Sequence, residues 1–283
     1  MEAIASPAVL GESPLCRPGE LVFVDMLAGV LRRIALETLA ESTAHVVADG
    51  IPYAGAVVAA ADGSLAVITI DGVVHLDRKS GPVRVATIVD GAERRLNDAA
   101  VDPLGRLWVG SVALDGRPGT GAMHLWSPAA GAKTVHEGMS LPNGIGWSPD
   151  GGTAYVIDSG TRELLAATVD TVGGAVGPFR RRHLFSGPGE PDGLAVASDG
   201  TIWVAIWDGA RIDRLSPDGD LLGSLEVPVS RPTALAFGDG ELFVTTARHG
   251  LAPEALDAEP LAGRVLRLPV MATGLDPREL ITA

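Results

Sequence analysis

Apolar and polar positions alternate in short runs along this chain, and the runs are broken by glycine-containing turns. Between residues 56 and 89, AVVAA, LAVITI, GVVHL and VRVATIV follow one another, with breaks that contain DG, SG or GP. This pattern predicts half-buried strands joined by tight turns. The best helical candidate, LRRIALETLAEST (31–43), occupies the place of a third strand and its exit.

The pattern repeats. An apolar run, a glycine turn and a second β-rich run recur as GESPLCRPGELVFVD (11–25), AGAVVAAADGSLAVIT (54–69) and LNDAAVDPLGRLWVGS (96–111). They return as PNGIGWSPDGGTAYVID (142–158), PDGLAVASDGTIWVAIW (191–207) and PTALAFGDGELFVTT (232–246). Four short strands per unit, with six units about 40–50 residues apart, predict an all-β chain. The expected architecture is a six-bladed β-propeller with residues 1–283 as one domain. The sixth unit supplies only GRVLRLPV (263–270) after its second strand, so AIASPAV (3–9) is expected to close the ring as the missing outer strand.

Aligning the units on their turn glycines isolates one register position, occupied by Glu12, Gly55, Asn97, Asn143, Asp192 and Thr233. Innermost strands of a propeller run side by side around the axis, so this register forms a ring at one mouth of the channel. Five of the six residues carry side-chain oxygens, two of them carboxylates and two carboxamides. Oxygen donors converging from separate strands suit a hard divalent cation. The competing reading is that Asn-Gly and Asp-Gly are turn residues.

Composition narrows the partners. The 283 residues carry 22 basic and 35 acidic side chains, a formal charge of −13, with a pI near 4.8. No basic footprint exists for a phosphate backbone, so nucleic acid is not expected. Cys16 is the one cysteine, no apolar run is long enough for a membrane helix, and the N-terminus lacks a basic leader. A cytoplasmic protein with a small-molecule substrate is expected; oligomeric state is not legible.

These residues resemble the SMP-30/gluconolactonase/luciferin-regenerating family, which includes regucalcin. GESP (11–14), RLNDAAVDPLGRLWVG (95–110), LPNGIGWSPDG with YVIDS (141–159) and PDGLAVASDGTIWVAIW (191–207) carry the likeness, with RLSPDG (214–219) and RPTALAFG (231–238). The resemblance implies a six-bladed propeller with one divalent ion in the channel, held by Glu12, Asn143 and Asp192. Ca²⁺ is the first expectation; Zn²⁺, Mg²⁺ and Mn²⁺ suit the same donors. It implies substrate contacts at Arg95 and Asn97. Family sugar lactonases commonly carry an acidic pair after the third-blade GT segment; SVALDGRPGTG (111–121) offers only Asp115. Leu15-Cys16 stands where an aromatic often follows the first motif.

The implied reaction is hydrolysis of a lactone, first of all a sugar lactone such as gluconolactone. A divalent ion polarises the ester carbonyl and lowers the pKa of a bound water. Asp192 is then the candidate general base as well as a ligand, and Arg95 the group that meets an oxyanion or a hydroxyl. Asp158 is a candidate support for the metal shell. The loops 111–121 and RHGLAPEALDAEP (248–260), with Arg248 and His249, open on the same face. His75 and His124 are expected at the surface or at a sheet edge, and His45, His136 and His183 in outer strands. Met139, Leu96, Val112 and Trp207 near the mouth leave room for a bulkier substrate or a non-hydrolytic reaction. A non-catalytic calcium-binding propeller and a strictosidine-synthase-like propeller compete with the lactonase reading.

Overall fold

The computed structural model describes residues 1–45, 47–48, 51–77, 81–238 and 240–282. Six antiparallel sheets, each with four meandering strands, stand around one axis as the blades of a propeller. Blade one runs Gly11–Arg17, Glu20–Asp25, Val30–Ala35 and Glu41–His45, so the helical candidate 31–43 is strand and turn. Strand geometry wins there because Leu31 and Ile34 bury in the cores on opposite sides of blade one, and Arg32 is buried between them. The innermost strands of blades two to six are Ala56–Ala60, Arg94–Val101, Pro142–Trp147, Glu190–Val196 and Pro232–Gly238.

The ring closes as expected. Glu2–Ile4 pairs antiparallel with Val265–Pro269 and completes blade six. The closing strand is shorter than the 3–9 segment, because Ala5 adopts a left-handed φ of 67° and turns the chain toward blade one. Apolar side chains fill the spaces between successive blades; Trp108, Phe23 and Phe243 are among the largest fully buried ones. The insertion in blade six carries a short helix, Pro253–Ala258. No helix among the described residues is long and apolar enough to cross a membrane.

Two features position the channel. First, five innermost strands carry a β-bulge at the aligned register: between Glu12 and Leu15, Leu96 and Ala99, Pro142 and Ile145, Pro191 and Leu194, and Pro232 and Leu235. A bulge re-aims side chains that a regular pleat would send between the blades. Second, the segment after Pro269 crosses the opposite mouth. Ser198 N donates to Thr273 O, Glu279–Leu280 lies parallel to Ala59 and Ala60 of blade two, and Ile281 N donates to Gly105 O of blade three. A cavity of about 220 Å³ lies along the axis, lined by inner strands and by Gly274–Arg278 of this strap.

Candidate functional site

The aligned register is a bulge position and not a hairpin turn, which corrects the turn reading of Asn-Gly and Asp-Gly. At Gly144 a Cβ would lie 2.4 Å from Leu194 N and 2.7 Å from Asp192 O. Glycine is needed there because the backbone of blade five passes against it. At Gly55 a Cβ would meet Asn97 O at 2.4 Å, so blade two contributes no side chain to the ring.

The register residues stitch neighbouring blades together. Ser13, next to Glu12, sits at φ 50°, a strained conformation for a residue with a Cβ. Its Oγ accepts from Val57 N at 3.0 Å and donates to Val57 O at 3.2 Å. Asn97 Nδ2 donates to Pro142 O at 3.0 Å. Thr233 Oγ1 donates to Gly11 O at 2.6 Å and is consumed in that tie, so it joins blades six and one and is not a donor to the ring.

Glu12, Asn143 and Asp192 lie in one group, close enough for their charges and dipoles to act on one another. All three side chains are buried. Asn143 Nδ2 donates to Ser159 Oγ at 3.2 Å, and its carboxamide lies near enough to Asp192 to favour the charged carboxylate. Burial pushes the Glu12 carboxyl well above the carboxylate range, and the charges of Asp192 and Asp98 push it further. Burial, then the charge of Asp98, does the same to Asp192, opposed by the Asn143 carboxamide. Asp98, which sequence patterning alone does not single out, is raised by burial to about 6. A signal for it exists: it follows Asn97 in the same bulge, and LNDAAV is the one unit with an acid at that place.

Three carboxyls buried this close together either keep their protons or are balanced by a cation. Oδ1 of Asp192 is buried without any hydrogen-bond partner. No three His, Cys, Asp or Glu side chains among the described residues form a ligand cluster by themselves. The donor set that fits a divalent ion is therefore two carboxylates and a carboxamide, Glu12, Asp192 and Asn143, which is the oxygen-only chemistry of a hard cation.

Beside this group lies a basic one. Arg95 Nη1 donates to Asn97 Oδ1 at 2.6 Å and to the Tyr53 hydroxyl at 2.9 Å. The guanidinium carbon stands 5.8 Å from the Tyr53 ring centre. Buried Tyr53 donates in turn to Leu96 O at 2.8 Å. Tyr53 is invisible to the repeat pattern, because it precedes its blade's innermost strand and belongs to no repeat. Arg94 goes elsewhere and donates to Thr120 O at 2.7 Å, anchoring the third-blade loop.

Other expected residues stay apart. Asp115 is exposed, and its carboxylate is held by Arg117 at 2.5 Å. His249 and Arg248 are exposed in the blade-six insertion. Asp158 accepts from Ser140 N and Leu141 N, both at 2.9 Å. His124 is buried, correcting its surface assignment; Ser111 Oγ lies 2.8 Å from its Nε2. His75 is half-buried beside Ser64. Leu96 and Met139 pack in inter-blade cores and Val112 is buried, so of the four apolar residues placed near the mouth only Trp207 keeps partial exposure. Arg231 stacks 4.8 Å from the Trp207 ring centre.

The comparisons agree with this architecture. Residues 10–248 match the SMP-30/Gluconolactonase/LRE-like region. Pentonolactonase XacC of Haloferax volcanii is 34% identical over 280 residues, covering 94% of this chain and 92% of its own. The 6-deoxy-6-sulfogluconolactonase of Pseudomonas putida is 32% identical, covering 96% and 94%. Among solved structures, a calcium-binding protein, regucalcin, from Agrobacterium tumefaciens superposes with a TM-score of 0.89 at 27% identity, covering 98% of this chain and 95% of that one. Repeats, ring closure and family match converge: this chain belongs to the SMP-30/gluconolactonase/LRE-like family.

Proposed function

We propose that this protein is a divalent-cation-dependent hydrolase of sugar lactones, with an aldonolactone such as gluconolactone as the substrate. The observation that carries the reading is the buried, unpartnered Oδ1 of Asp192 within a group of like charges and beside one half-buried guanidinium. Two relatives with more than 30% identity, named a pentonolactonase and a sulfogluconolactonase, support lactone hydrolysis. The regucalcin from Agrobacterium tumefaciens, described as calcium-binding, supports the cation and makes Ca²⁺ the first to test.

Glu12, Asn143 and Asp192 would hold the cation, which when bound supplies Lewis-acid polarisation and an acidified water. Asp192 takes the proton of the attacking water. The ring C–O bond then breaks, and that proton passes to the departing alkoxide, leaving a hydroxy acid. Arg95, held by Tyr53 and Asn97, donates to the charge that develops on the substrate. The carboxamide of Asn97 orients that guanidinium and meets a substrate hydroxyl. The exposed loops carrying Asp115 and His249 flank the mouth, where sugar substituents would be read.

Proton release from gluconolactone tests this reading. The expected result is turnover that EDTA abolishes and added Ca²⁺, Zn²⁺, Mg²⁺ or Mn²⁺ restores. EDTA-resistant turnover, or full turnover by Asp192→Ala, would overturn it.

A further inference from the structure

We propose that Asp25 and Asp158 are paired positioning residues that aim the cation ligands Glu12 and Asn143. The inference rests on the cation site proposed above and assigns a role to residues outside it. The two carboxylates occupy the same place in blades one and four. Asp25 ends the second strand of blade one and is the register partner of Gly11, the residue before Glu12. Asp158 ends the second strand of blade four and is the partner of Pro142, the residue before Asn143.

Each uses both oxygens in the same way. Asp25 accepts from Val9 N at 3.0 Å and from Leu10 N at 3.2 Å. Asp158 accepts from Ser140 N and Leu141 N at 2.9 Å each. Both side chains are buried. In each case two consecutive amides of the approaching chain are pinned immediately before the bulge. Charge-assisted bonds to backbone amides are stronger than neutral ones, and the low dielectric around buried groups strengthens them further.

The pattern is selective. The corresponding second-strand positions in blades three, five and six are Ser111, Ile206 and Thr246, by their pairing with Leu96, Pro191 and Pro232. Of these five bulged blades, only the two that supply Glu12 and Asn143 carry an acid there. Blade one also carries the strained Ser13 directly after its ligand, so its bulge needs an anchor on the upstream side. In blade four, Ser159 follows Asp158 and accepts from Asn143 Nδ2. One two-residue unit thus fixes the strand and ties down the Asn143 carboxamide.

Terbium luminescence titration of the full chain tests the assignment. Asp25→Asn and Asp158→Asn keep the side-chain shape but set an NH₂ against one pinned N–H. The expected result is at least a tenfold weaker terbium affinity in each, with the native circular dichroism retained, and partial rescue by Asp158→Glu. Asp102→Asn is the control. Asp102 is equally buried and bonds Leu104 N, Arg106 and Trp108 at the opposite end of blade three. It should lower the melting temperature and leave terbium affinity unchanged. Native affinity in folded Asp25→Asn and Asp158→Asn, or an equal loss in Asp102→Asn, would overturn the positioning role alone. If the native protein takes up no terbium, calcium or manganese, the cation site and this role fall together.

If the Asn variants fail to fold, amide exchange decides instead. Val9, Leu10, Ser140 and Leu141 of the native protein should exchange as slowly as strand amides. Fast exchange at these four positions would overturn the role.

Discussion

Arg95 donates a 2.6 Å hydrogen bond to Oδ1 of Asn97, while Nδ2 of the same carboxamide donates across to the Pro142 carbonyl of the next blade. A guanidinium in blade three is thereby tied to the strand that carries Asn143. Arg95→Ala should lower kcat/KM for gluconolactone by roughly 10²-fold, on the order of 3 kcal/mol. Asn97→Ala should cost less in rate but also lower stability, since it leaves Pro142 O unpaired. Steady-state kinetics and thermal melting separate the two effects.

Tyr53→Phe removes one acceptor from Arg95 and one donor to Leu96 O without changing the packing of the ring. The expected loss is about 1 kcal/mol of stability and a few-fold in kcat/KM. An unchanged KM and kcat would show that Asn97 and the Leu96 carbonyl hold the guanidinium without Tyr53.

Asp192→Asn should separate activity from stability. In the presence of EDTA the variant removes a buried charge that stands against Asp98 and Glu12, so it should melt higher than the native protein while showing no turnover. Melting curves with and without EDTA measure this. A variant that melts well below native in EDTA would mean the cluster is not under repulsion.

The cation-free protein should lose stability as pH rises. A carboxyl whose folded value lies above its unfolded one binds its proton more tightly in the native state. Asp98, held up at about 6, therefore favours the fold below pH 4 and loses that contribution as pH climbs toward 6. Glu12 and Asp192 act in the same direction. Melting temperatures in EDTA should fall across this window, and saturating divalent cation should abolish the fall.

The strap across the far mouth contributes through Leu280, which is fully buried beside Ala60 and belongs to the apolar core between blades two and three. Leu280→Ala should cost about 2–4 kcal/mol. Thermal melting checks this, with kcat at room temperature expected near native because the residue lies away from the bulge ring.

The repeat period, the alternation of apolar positions and the turn glycines are local, and they suffice for six four-stranded blades closed by the N-terminal strand. Register is also local, so Glu12, Asn143 and Asp192 align before any contact is known. What lies beyond the chain's own order is direction and neighbourhood. The bulges decide which way a register residue faces, and at Gly144 the inner strand of the next blade passes too close for a Cβ. Thr233 shares the register but is taken by a carbonyl of blade one. Tyr53 joins the site by bonding Arg95 and Leu96 O of blade three, and Asp98 by its charge reaching Glu12 of blade one and Asp192 of blade five, neighbourhoods that no periodicity encodes. The strap has no counterpart among the repeats. Burial and the proximity of charges from different blades exist only once the ring has closed, and they are what make this group of carboxylates chemically distinct.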